Sequence, residues 1–244
     1  MPPRLVFRFC AVAFLFLGCA QALADVPEPL RWQAVLVAGD NAEPVFDNAV
    51  AAVSHWLEAD GVPISDIHRL SASLAPRNPA IEPASTDRVL RRIATLHARP
   101  GERCLVFITS HGRRDEGVWL AASGEYLEPA SLARALSAGC AAVPTVVILS
   151  SCYSGAFTAG PMRAPNRIIL SAARADRPSF GCQADRTFTV FDECLLAALP
   201  HALTWRVVYK ASRACVTRRE RRLSLLPSQP QAAFGVAVRN LAVR

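Results

Sequence analysis

Lysine is nearly missing from this chain: Lys210 is the only one, so the 27 basic side chains of 244 residues are otherwise arginine. The formal charge of +7 is carried by guanidinium groups scattered among Ala, Val and Leu, with no aromatic residues interleaved. Arg99, Arg103, Arg113, Arg114 and the cluster over residues 218–222 read as solvated faces, and no nucleic-acid partner is expected. There is no C-x-x-C pair and no His/Cys spacing suited to a metal, so neither metal nor cofactor is expected. There is no G-x-S-x-G, which argues against a serine hydrolase built on a nucleophile elbow. Past residue 24 no apolar run nears the roughly 20 residues that span a bilayer, so no stable membrane span is expected. Internal repeats and long linkers are absent too, which leaves one domain over residues 25–244.

The first 24 residues have a different character. Arg4 and Arg8 precede an apolar block from Phe9 to Leu17, and Ala22-Leu23-Ala24 forms an A-x-A cleavage signature before Asp25. This reads as a cleaved signal peptide, and the mature protein is expected to be periplasmic or secreted. The rival exit is lipoprotein processing at Cys19, in Phe16-Leu17-Gly18-Cys19. Losing Arg4 and Arg8 lowers the charge by two, from +7 to +5. Six cysteines remain, at 104, 140, 152, 182, 194 and 215, and an even set in an exported chain suggests disulfides. If Cys152 stays free, at most two bridges form and one further thiol is left over. Cys104, inside an apolar run, reads as a small hydrophobe, and Cys182 with Cys194 or Cys215 is a possible bridge.

Short apolar runs set the fold class. Trp32–Ala38, Cys104–Thr109, Thr145–Leu149 and Arg167–Ala173 lack polar alternation, as strands buried on both faces do. Ile64–Leu70 is a shorter strand, and Gly117–Leu120 with Tyr126–Leu127 reads as a hairpin about Ser123-Gly124. Helices are expected over Asp47–Ala59, from the Ser85-Thr86-Asp87 cap to Ala98, and over Pro129–Ser137, Phe188–Leu203 and Val207–Arg222. His55 and His97 need only helix-surface roles, and residues 71–85 read as a surface loop. Strands alternating with helices give an α/β domain with a mostly parallel sheet.

Two of these strands end in chemistry. Cys104–Thr109 runs into Ser110-His111-Gly112, and Thr145–Leu149 into Ser150-Ser151-Cys152-Tyr153-Ser154-Gly155. The carboxyl ends of strands in an open α/β sheet are where ligands bind. A spacing of 41 residues (152 minus 111) suits one crossover with a hairpin. An imidazole beside a thiol draws off its proton and later returns it to a leaving amine, while backbone N–H groups hold the oxyanion. Gly112 and Cys152 are the candidate donors.

The run SHG, then SSCYSG, then SAARADRPSFGC resembles the caspase-like cysteine peptidases, most closely the legumain-type family in its bacterial, secreted form. Val35–Asn41 (VLVAGDN) is similar to the family's first strand and turn. Ser171-Ala172-Ala173 with Ser179-Phe180-Gly181-Cys182 is similar to its post-catalytic strand and pocket wall. Glu220, the run from Pro227 to Gln231 and Gly235 resemble the bacterial tail. The resemblance implies a caspase-like three-layer sandwich, with a mostly parallel sheet of about six strands flanked by helices. It implies a peptide or protein substrate cleaved through an acyl-enzyme, with Cys152 as nucleophile, His111 as base and acid, Gly112 as oxyanion donor and Asn41 supporting the histidine. Legumains place Glu two residues before the nucleophile and directly after it, where this chain has Ser150 and Tyr153; Asp47 stands for the arginine of the first pocket loop. An asparaginyl pocket is therefore not expected. Asp47, Asp192 and Glu193 offer an acidic pocket for a basic residue instead, with Ser150, Tyr153 and Ser171 lining the cleft. A transpeptidase using the same dyad, and a catalytically silent binding module on the peptidase scaffold, are the alternatives to an endopeptidase.

Overall fold

The computed structural model describes Met1 and residues 31–73 and 80–244. The signal peptide expected over residues 1–24, with Cys19, otherwise lies outside the described residues. From the first described strand, β1 (Arg31–Ala38) leads to α1 (Val45–Ala59), β2 (Ile67–Ser71), β3 (Ile81–Pro83) and α2 (Thr86–Ala94). Next come β4 (Glu102–Thr109) and three short strands, β5 (Gly112–Arg113), β6 (Gly117–Leu120) and β7 (Glu125–Leu127). The chain continues through α3 (Pro129–Gly139), β8 (Thr145–Ser150), β9 (Arg167–Ser171), α4 (Val190–Ala198), α5 (Trp205–Arg222) and β10 (Gln231–Phe234).

One seven-stranded sheet runs in the order β10-β9-β8-β4-β1-β2-β3. Every pairing is parallel except that of β10 with β9. The apolar runs are strands for the reason their composition suggests: every residue of β8 and β9 is buried. Successive side chains go to opposite faces. Leu36, Phe107 and Ile148 join one apolar layer with Phe46 and Leu57 of α1, Leu195 of α4 and Trp205 of α5. Val35, Val106 and Val147 join the other, with Val89 and Ile93 of α2 and Leu132 and Leu136 of α3. Helices thus cover both faces, giving the three layers of a caspase-like sandwich.

The seventh strand is β3, inside the stretch read as loop; residues 74–79 of that stretch lie outside the described residues. Three residues ending in Pro83 show no measurable alternation, and β3 exists because it pairs with the outer edge of β2. The second helix stops at Ala94 rather than Ala98, and His97 takes a left-handed φ of 45° beyond its end. The fourth is shorter than expected at both ends: Thr189 caps its first turn by accepting from Asp192 N–H, and Pro200 follows close behind its end.

The cysteines correct two expectations. Cys104 is no mere hydrophobe: it is bridged to Cys140 at the end of α3, tying that helix to β4. Cys194 is bridged to Cys215, which joins α4 to α5, so Cys182 takes part in neither bridge. Cys152 and Cys182 are the free thiols among the described residues.

Candidate active site

The chain runs from β1 outward to β2 and β3, then returns to β4 on the other side of β1. That reversal is a topological switch point, where a crevice opens at the carboxyl ends of the strands. Across β4 and β8, Thr109 pairs with Ser150 in parallel register. The offset of 41 (150 minus 109) equals the spacing of His111 and Cys152, so the two stand level, each two residues past a paired strand end. Ser110 N–H extends the contact by donating to Ser150 C=O at 3.1 Å.

Gly112 shows how closely the two loops meet. A Cβ there would lie 2.3 Å from the Cys152 carbonyl oxygen, so no larger residue fits without displacing backbone. Trp119 N–H donates to His111 C=O at 3.0 Å. The Gly112–Val118 pair is therefore of the non-hydrogen-bonded kind, which leaves the Gly112 N–H outside the β5–β6 ladder. Cys152 lies past the end of β8, so its N–H is outside that strand's ladder as well.

Each member of the pair has a neighbour. The edge of Phe46, from α1, meets the His111 ring with centroids 5.3 Å apart and planes at 76°. Cys152 Sγ accepts from Ser179 N–H at 3.3 Å and donates to Ser179 C=O at 3.5 Å. The sulfur is thus seated against the loop after β9, with a backbone donor aimed at it. Cys182 lies on the same loop. Burial pushes its thiol up first, followed by the charge on Cys152, with Glu43 and Asp40 adding to the rise. Beside Cys152, Tyr153 adopts a left-handed φ of 58° and donates its N–H to Arg177 C=O at 2.9 Å. The Arg114 guanidinium lies 5.6 Å from the Tyr153 ring. A cavity of about 420 Å³ opens next to this ring, with Arg113, Glu116, Glu128, Ala156 and Pro161 among its walls.

Beneath the pair lies Asp192, which has no exposed surface. Its Oδ2 accepts from Thr109 Oγ1 at 2.8 Å, and its Oδ1 has no hydrogen-bond partner. Burial raises this carboxyl to about 6, against the restraining effect of the Ser150, Thr109 and Thr189 hydroxyls. Asp192 therefore stands between the ends of both strands that carry His111 and Cys152.

The remaining sequence candidates are placed less centrally. Asn41 is exposed at the end of β1, and no hydrogen bond joins it to His111; Phe46 supplies the ring's neighbour instead. Asp47 is half-buried and accepts from Ser73 Oγ at 2.5 Å. Glu193 is paired with Arg186 at 3.0 Å and with Arg219. With Asp192 buried and Glu193 neutralised, these three carboxylates form no open acidic pocket. Ser150 is buried with its Oγ 3.4 Å from Thr189 Oγ1, and Ser171 is buried and donates to Ala173 C=O. Neither serine lines the cleft, whereas Tyr153 does line the adjoining cavity. Phe46 carried no sequence signal, since an aromatic on an apolar helix face looks like core. Ser179 acts through its backbone, which side-chain identity does not reveal.

The fold defines a class, the caspase-like α/β sandwich, with a thiol and an imidazole on neighbouring strand ends. Residues 85–203, which include both, match the model of the Peptidase C13 family, and this match supports a kinship with the legumain-type cysteine peptidases. Among curated proteins, none matches the chain.

Proposed function

We propose that this protein is a cysteine endopeptidase working through an acyl-enzyme on His111 and Cys152. The observation that carries the reading is the level register of these residues across β4 and β8. In the first half-reaction Cys152 Sγ attacks the scissile carbonyl carbon and the C–N bond breaks. His111 takes the thiol proton and delivers it to the departing amine. Water, deprotonated by the same imidazole, then resolves the thioester to a carboxylate and regenerates the thiol. The N–H groups of Gly112 and Cys152 receive the developing oxyanion, and the cavity beside Tyr153 takes a neighbouring part of the peptide. Export to an oxidising compartment fits the two disulfides, which persist there.

Timed alkylation with iodoacetamide and peptide mapping tests this. Cys152 is expected to label first, because the Cys182 thiol is pushed up and holds less thiolate. Labelling should track loss of peptidase activity; Cys182 reacting first, or full Cys152 labelling with activity intact, would refute the reading. A second test uses Gly112→Ala. The added Cβ would meet Cys152 C=O, displacing the proposed oxyanion donors. The expected loss in kcat is about 10²-fold or more, with an unaltered circular dichroism spectrum. An unchanged kcat would remove Gly112 from the mechanism.

A further inference from the structure

Arg167 opens β9 at the end of the sheet opposite the dyad, paired in register with Thr145, the first residue of β8. It is only 4% exposed. One guanidinium nitrogen, Nη1, donates to Met162 C=O at 2.7 Å, while Nε has no partner. No carboxylate among the described residues pairs with it, and burial alone pulls its pKa down. The other deeply buried arginine, Arg103, differs: its guanidinium lies over the Trp32 ring and feels Asp60. Arg167 instead borders a cavity of about 280 Å³, walled by Ile169, Ala233, Phe234 and Val236 with the exposed Arg163 among its lining residues. Ile169 and Ala233 pair across β9 and β10, and both belong to the apolar layer under α2 and α3. The cavity is thus an open end of that layer, with Arg167, a cation that no carboxylate among the described residues pairs with, among its lining residues.

A buried guanidinium without an acid is costly unless a ligand supplies one. Its fork of N–H donors matches the two oxygens of a carboxylate, and aliphatic walls suit a short hydrocarbon body. The volume falls below the roughly 300–1,000 Å³ of drug-sized sites, which restricts the ligand to a few carbons. We propose that this cavity binds a small monocarboxylate with a short apolar body, held through Arg167.

The test is isothermal titration of the full chain with sodium hexanoate, 1-hexanol and hexylamine. Hexanoate should bind and the other two should not. Arg167→Met should weaken hexanoate at least tenfold. Should that variant fail to fold, Ala233→Leu fills the cavity while keeping the cation, and it too should abolish binding. Two further probes, a tripeptide ending in a free leucine carboxylate and its amide, separate a peptide terminus from a free acid as the source. Binding of the free-acid form alone supports the same carboxylate chemistry. Hexanol binding as well as hexanoate, an undiminished affinity in either variant, or no binding by any carboxylate probe would overturn the proposal. The readout is binding, so it is independent of whether the dyad cleaves peptides.

Discussion

Cys152→Ala and His111→Ala should each lower kcat/KM on a peptide substrate by about 10⁴-fold or more, with the double variant losing little beyond either single one. The non-additivity is the informative part. If thiol and imidazole act as one unit, removing either ends the covalent route, and the second deletion has nothing left to remove. Two independent contributors would multiply their losses instead. Both side chains are partly exposed at strand ends rather than in the core, so truncation should leave the melting temperature nearly unchanged. A steady-state assay of all four proteins at one pH decides the matter. Multiplicative losses, or a single variant retaining more than about a tenth of the activity, would break the proposed unit.

Asp192→Asn should abolish a pH dependence of stability that the native chain carries. The folded carboxyl titrates near 6, above its ordinary 3.8, so the folded state binds the proton more tightly. The stability associated with that proton is complete below about pH 4 and is lost as pH rises through about 6. At about 1.4 kcal/mol per pH unit, the deficit approaches about 3 kcal/mol by pH 7.5. Asparagine keeps the shape, can still accept from Thr109 Oγ1, and turns its amide toward the Ser150 and Thr189 hydroxyls. It should match the native protein at pH 4 and exceed it at pH 7.5 in urea denaturation. Parallel pH profiles for the two proteins would show that Asp192 is not the titrating group. Because Asp192 lies between Thr109 and Ser150, its effect on catalysis would be one of positioning. Restoration of kcat in Asp192→Asn, but not in Asp192→Ala, separates that role from general destabilisation.

The central strands, and the placement of His111 and Cys152 past two neighbouring strand ends, were legible because burial on both faces leaves a plain mark on sequence, an unbroken apolar run ending in small residues. His111 and Cys152 lie directly beyond two such runs, and their spacing equals the ladder offset, so reading the strands sufficed to bring them together. What was not legible depends on partners distant in the chain. The β3 strand is three residues long and forms only because β2 offers it an edge. The Cys104–Cys140 bridge requires α3 to end beside β4, which spacing along the chain does not encode. In the sequence Asp192 reads, with Asp47 and Glu193, as part of an open acidic pocket, because it stands beside Glu193 in the first turn of a helix, where acids are favoured by the dipole. On a helix, however, adjacent residues point about 100° apart. Asp192 faces the sheet while Glu193 faces Arg186 and Arg219.

The most direct test is to trap the acyl-enzyme. A peptide ester is mixed with the protein, the reaction is quenched in acid within its first turnovers, and the digested chain is mapped by mass spectrometry. A thioester-linked acyl group should sit on Cys152, and it should fail to accumulate in His111→Ala. An acyl group on Ser151 or Ser154, or rapid turnover with Cys152 never acylated, would contradict the account.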